Sequence, residues 1–137
     1  MSITMNPYLN FDGTAGKALE LYERVFGAKA EISRYGDPEG AQIPAEHKDR
    51  VMHARILVGG APLMVSDTPP GHPPARGSNV HVCLQLNDIA EARAKFEALS
   101  QGGQVTMPLQ DTFWGATFGM LVDAYGIPWM FNCEKEA

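Results

Sequence analysis

Two stretches of alternating sequence carry side chains that can bind ligands or move protons. His53, Arg55 and Leu57 alternate with Met52, Ala54, Ile56 and Val58, and His81, Cys83 and Gln85 alternate with Val82, Leu84 and Leu86. Successive residues of a strand point to opposite faces. The apolar rows therefore suit packing beneath a helix, which leaves two histidines, an arginine and an amide on the other side. Imidazole titrates near neutral pH and serves as a general acid or base, so His53 and His81 are the candidate catalytic residues. With Arg55 and Gln85 they are also candidate ligand-binding residues, because a few polar groups among apolar ones are the usual makeup of a small-molecule site. Two histidines with a carboxylate such as Asp67 are a familiar zinc or iron pattern. The bland alternative is that both are polar residues satisfied by Arg55, Gln85, backbone or water.

The elements that would position these groups form a repeat. Residues 15–23 (AGKALELYE) and 90–99 (AEARAKFEAL) place apolar side chains at i, i+3, i+4 and i+7, the pattern of an amphipathic helix. Asp12 or Thr14 in the first and Asp88 in the second are N-cap candidates, and Gly27 and Gly102-Gly103 follow the two helices. Strand-like runs precede the helices at 4–11 and 79–86. Three more follow each helix, at 30–35, 51–58 and 62–66, then at 104–109, 117–122 and 127–133. The pattern is βαβββ twice, in one α+β domain spanning residues 1–137, with a first module at 1–67 and a second at 79–137. Between them lies DTPPGHPPARGS, residues 67–78, whose prolines and glycines make 68–78 an irregular linker. A second irregular stretch, 36–49, interrupts the first module. Pro62-Leu63-Met64 and Pro128-Trp129-Met130 are the clearest internal echo.

Other chemistries lack their signatures. A net charge of −5 with no basic run argues against a nucleic-acid partner. No run of roughly eighteen apolar residues offers a membrane span, and the N-terminus lacks the pattern of a signal peptide, so a soluble, cytoplasmic protein is expected. Cys83 and Cys133 sit far apart in apolar runs and read as buried reduced thiols. There is no Gly-x-Ser-x-Gly elbow and no glycine-rich cofactor loop between a strand and a helix. His47 and His72 lie in irregular segments and are expected to be solvated, as is the acidic tail from Glu134. Trp129 reads as core or dimer contact. The segment Asp111-Thr112-Phe113-Trp114-Gly115 is either a wall of the site, with Trp114 stacking on a flat ligand, or a turn whose aromatics seal the core.

The βαβββ duplication, the His81-to-Asp88 run HVCLQLND leading into a helix, and Asp123-Ala124-Tyr125-Gly126 before the last strand resemble the glyoxalase/bleomycin-resistance, or vicinal oxygen chelate, superfamily. Asn6-Pro7-Tyr8-Leu9, Leu63-Met64-Val65-Ser66-Asp67, Asp111-Thr112-Phe113-Trp114-Gly115 and the 126–132 run GIPWMFN are similar to its PhnB-like branch. The resemblance implies a cup-like incomplete barrel built from both modules, and a homodimer. It also implies a divalent metal held at four pseudo-equivalent positions. Carried over residue by residue, these are Met5 (Asn6 if the first strand slips by one residue), Met64, His81 and Met130, so only His81 keeps a ligand type. Thioethers do not favour hard divalent ions. The expectation is a metal-free protein with no cofactor, in which Met64, Met130 and Trp114 join His53, Arg55, His81 and Gln85 around a small molecule. A metal-dependent lyase, isomerase or dioxygenase is the alternative.

Overall fold

The computed structural model describes residues 2–40 and 42–134. The chain divides into two compact units, Met1–Ala75 and Arg76–Ala137, with the boundary inside the proline-rich linker. The first unit runs β1 (Tyr8–Phe11), α1 (Ala15–Phe26), β2 (Glu31–Arg34), a short 3-10 turn, β3 (Val51–Val58) and β4 (Ala61–Asp67). The second runs β5 (Val82–Leu86), α2 (Ile89–Leu99), β6 (Gln104–Asp111), β7 (Ala116–Val122) and β8 (Pro128–Glu134). The strand orders are β1-β4-β3-β2 and β5-β8-β7-β6, and in each sheet only the first pairing, β1 with β4 or β5 with β8, is parallel. This is an α+β fold of two tandem βαβββ modules.

Each helix covers one face of its own sheet. α1 buries Ala15, Ala18, Leu19, Leu21, Tyr22 and Val25, and Ala54, Ile56, Leu63 and Val65 on β3 and β4 are buried with them. In the second unit Ala92, Phe96 and Leu99 of α2 are buried, as are Leu121, Trp129 and Phe131 on the strands. Phe96 meets Phe131 edge to face at 5.1 Å. Burying each such large apolar side chain contributes roughly 1.5–3 kcal/mol.

The two helices start by different means. Asp88 caps α2 directly, accepting from the N–H groups of Ala90 at 2.9 Å and Glu91 at 3.2 Å. Neither Asp12 nor Thr14 caps α1 with its side chain. Instead buried Asp67, at the end of β4, accepts from the N–H groups of Gly13 at 2.8 Å and Ala15 at 3.0 Å through Oδ1, and from Val51 at 2.9 Å through Oδ2. Arg50 closes the same connection by donating to Asp12 at 2.8 Å and to the Thr68 carbonyl at 2.7 Å. α1 ends at Gly27, whose φ of 65° is the left-handed cap that glycine adopts without strain.

Three expectations are corrected. Met52 does not join the helix-facing row of β3. The ladder passes from Ser33–His53 to Arg34–Val51, so a bulge leaves Met52 as the extra residue, 40% exposed, while Val51 takes the buried place. Cys83 is exposed, and only Cys133 is buried. β1 and β5 begin at Tyr8 and Val82, later than their patterns suggest, so His81 stands just before its strand. Of the acidic tail, Glu134 is exposed and 135–137 lie outside the described residues.

Asp67→Ala removes one acceptor from three backbone donors, two of them buried, and is expected to destabilise the protein by about 3–5 kcal/mol. Chemical denaturation checks this, and a loss under about 1 kcal/mol would show that water substitutes for the carboxylate as acceptor.

Candidate functional site

With one helix per sheet, the face opposite the helix is where side chains are left free of helix packing. On the first sheet that face carries Tyr8, Met64, Arg55 and Glu31 in one lateral row, fixed by the pairings Tyr8–Met64, Arg55–Met64 and Glu31–Arg55. His53 lies two residues along β3 from Arg55, on the same face, and its Nδ1 is 2.9 Å from the Tyr8 hydroxyl. The two rings tilt at 54° with centroids 5.7 Å apart. With Nδ1 engaged, Nε2 of His53 is the nitrogen left for another partner. Arg55 is exposed and makes no ion pair or hydrogen bond among the described residues. A phenol, an imidazole and a guanidinium are thus gathered on one open surface, next to a thioether.

The second sheet presents a different surface. Cys83, Met130 and Met120 form its corresponding row through the pairings Cys83–Met130 and Met120–Met130. The next row holds Gln85, Asn132 and Phe118. Asn132 Nδ2 donates to Gln85 Oε1 at 2.9 Å, while its buried Oδ1 has no partner. Phe118 touches Trp114 edge to face at 6.0 Å, and Trp114 touches Phe113 in the same manner at 5.0 Å. Phe113 is 97% and Trp114 55% exposed, so these aromatics do not seal the core.

The expected site residues therefore fall into two sets. His53, Arg55 and Met64 share the open face of the first sheet. Gln85 and Met130 share that of the second, with Trp114 at the edge of the face and His81 just ahead of β5. Trp129 is fully buried, and its Nε1 donates to Asp123 Oδ2 at 2.9 Å, which makes it core. Asp67 is committed to its three backbone donors, which argues against its use as a metal ligand with a histidine. Tyr8, Met120, Asn132 and Phe118 were not singled out from sequence. Strict alternation from buried Leu9, Leu121, Cys133 and Thr117 would have found all four.

Ladder register also tests the inherited metal positions. Tyr8 pairs with Met64 as Cys83 pairs with Met130, so the first-strand residue equivalent to His81 is Asn6, two before Tyr8. Met5, assigned to that place from sequence, is displaced by one residue. The correction exchanges a thioether for an amide. Asn6, Met64, His81 and Met130 still include one imidazole and no carboxylate, a set that does not fit a hard divalent cation. Among the described residues no group of three or more histidine, cysteine, aspartate or glutamate side chains is placed to hold a metal.

Residues 4–131 match the family model described as the Glyoxalase/Bleomycin resistance protein/Dioxygenase superfamily. The chain belongs to that superfamily. Within the glyoxalase superfamily it is 32% identical to the protein YjdN of Escherichia coli (strain K12), with 96% of each chain covered. The crystal structure of protein PA1353 from Pseudomonas aeruginosa superposes with a TM-score of 0.86 at 40% identity, over 98% of this chain and all of that one. The PhnB protein from Bacillus cereus gives 0.77 at 26% identity, over 96% and 99%. This glyoxalase-superfamily chain is thus PhnB-like, as its motifs imply.

A cleft of about 600 Å³ opens elsewhere, on the helix side of the second sheet, lined by Asp88, Arg93, Asp111, Thr117, Cys133 and Glu134 among others. Two of its carboxylates are engaged. Asp88 caps α2, and Asp111 accepts from the Thr117 hydroxyl at 3.0 Å. Burial raises the Cys133 thiol above its ordinary value, and the charges of Asp88 and Glu91 raise it further. Partial burial alone raises Cys83.

A thiol whose pKa is raised stays protonated at neutral pH, and only the thiolate attacks. Labelling of the native chain with a disulfide reagent is expected to modify Cys83 and spare Cys133. The Cys83 rate should still climb from about pH 7 to about pH 9 without a plateau. Peptide mapping checks the site, and a plateau below about pH 8 would mean that a cation lowers this thiol instead.

Proposed function

We propose that this chain binds a small anionic or polar molecule on the open sheet surfaces and works without the divalent metal of its superfamily. The observation that carries the reading is the Tyr8, His53 and Arg55 group. A guanidinium that forms no ion pair among the described residues, although Glu31 is its cross-strand neighbour, and that stands beside an imidazole and a phenol suits a carboxylate or phosphoryl oxygen. Taken by itself, the second sheet carries an amide pair, Gln85 and Asn132, and an aromatic edge at Trp114 and Phe118, which suit a flat or apolar molecule. The donor types at Asn6, Met64, His81 and Met130 support the metal-free part of the reading.

The Tyr8–His53 hydrogen bond also favours a catalytic form of the same proposal. Tyr8 fixes the imidazole orientation through Nδ1, leaving Nε2 to take or give a proton at a bound molecule. His81 is the other candidate for this role.

Metal analysis by inductively coupled plasma mass spectrometry tests the first part. Tag-free protein made with zinc, nickel, manganese and iron supplied is expected to carry well under one such metal per chain. About one per chain, lost in His81→Ala, would overturn the metal-free reading. A thermal-shift screen of metabolites tests the second part. A ligand at a hundred times its Kd stabilises by about 2.7 kcal/mol, and Arg55→Ala and His53→Ala are expected to abolish its shift. Hits that bind both variants as well as the native chain would remove these residues from the site.

A further inference from the structure

The open face of the second sheet holds a row of three sulfur-bearing side chains to which the proposed function gives no partner. Cys83 on β5, Met130 on β8 and Met120 on β7 occupy adjacent ladder positions on three neighbouring strands. Trp129, Phe131 and Leu121 alternate with the two methionines and are fully buried under α2, so Met130 and Met120 point to the opposite face. Cys83 points there too, since Gln85 Nε2 on that face lies 3.9 Å from its sulfur.

We propose that Cys83, Met130 and Met120 form a binding site for a soft monovalent cation, Cu(I) or Ag(I). One thiol and two thioethers are the donor types that select such ions and are poor ligands for calcium, magnesium or manganese. The spacing suits convergence. Directly paired residues hold their Cβ atoms about 4.5–5.5 Å apart, and methionine, with three rotatable bonds, swings its sulfur toward a shared centre at little cost. Met130, between the other two, is the natural middle ligand. The corresponding row of the first sheet reads Tyr8, Met64 and Arg55, where a tyrosine and an arginine replace two of the three sulfurs, so the site belongs to the second module alone. The inference does not depend on the proposed small-molecule function and concerns ions that the four-metal analysis above does not supply.

The test is titration of the reduced full-length chain with Cu(I), without oxygen and against the competing chelator bicinchoninate, and with silver nitrate in chloride-free buffer. About one ion per chain is expected. Affinity should fall about tenfold or more in each of Met120→Leu and Met130→Leu, and further in Cys83→Ser. Leucine keeps the volume and apolar character of methionine while removing the sulfur. Circular dichroism establishes whether each variant is folded. A measurement that needs no variant is the ε-methyl NMR signal of each methionine in the native chain: those of Met120 and Met130 should shift together as silver is added, while that of Met52 stays in place. Three results would overturn the proposal: no binding, binding lost in Cys83→Ser but unchanged in both leucine variants (a lone thiol only), or methyl signals of Met120 and Met130 that do not respond.

Discussion

A four-stranded sheet that receives a single helix buries only one of its faces, and the two modules follow from that constraint. Every second residue of the central strands must then be apolar: Ala54, Ile56, Leu63 and Val65 in one sheet, Leu121, Trp129 and Phe131 in the other. The residues between them are released from packing and free to carry chemistry. This arrangement holds only while each helix stays on its sheet, and the start of α1 is where the first module secures it. Asp67 reaches from the end of β4 to the backbone of Gly13, Ala15 and Val51, tying the β1–α1 connection to β3 with one carboxylate. A buried charge with three donors is stable, and one stripped of them would not be.

The second module solves the same problem with different residues. Ladder register puts Cys133 where the first module has Asp67, since Phe11 pairs with Asp67 as Leu86 pairs with Cys133. A thiol cannot accept three strong hydrogen bonds, so the cap comes from Asp88 on the helix itself. The carboxylate anchor moves to the β7–β8 turn, where Asp123 accepts from Tyr125 and Ile127 and from the indole of Trp129. The open faces diverge in the same position-by-position way. Tyr8, Arg55 and Asn10 of the first correspond to Cys83, Met120 and Gln85 of the second. One surface carries a guanidinium, an imidazole and a phenol beside Glu31, the other is sulfur-rich and edged with aromatics. A duplicated scaffold keeps its buried rows alike because packing demands it, whereas its exposed rows carry no such demand.

This explains what the sequence discloses and what it conceals. The repeat, both helices, all eight strands and the outward direction of His53, Arg55 and Gln85 are legible, because burial imposes a period of 2 or 3.6 that survives in the residue types. Met52 misleads because a bulge, set by pairing with β2, adds one residue to the count, and nothing in the sequence marks it. The cap by Asp67 is hidden for another reason: it joins residues more than fifty apart, beyond any local motif. Tyr8 belongs to a recognisable sequence motif, yet its hydrogen bond to His53 exists only because β4 lies between β1 and β3 in the sheet. Cys83 looks buried by composition, but its parity on β5 puts it with Gln85.

Register also decides how the inherited metal positions are read, and it separates two questions that sequence merges. One is where each ligand position falls. The pairing of Tyr8 with Met64 and of Cys83 with Met130 answers it, moving the first position from Met5 to Asn6. The other is which donor stands there, and that answer hardly changes, because an amide oxygen and two thioethers do not supply the negative charge by which a protein holds a hard dication against water. Shifting β1 one residue further brings Pro7, which has no donor at all, and shifting it back restores Met5. No choice of alignment recovers a carboxylate. If the scaffold acts on a bound molecule, charge that develops must be met by groups of the chain itself. On the first sheet the cationic group placed to do so is Arg55, with His53 beside it held in orientation by Tyr8.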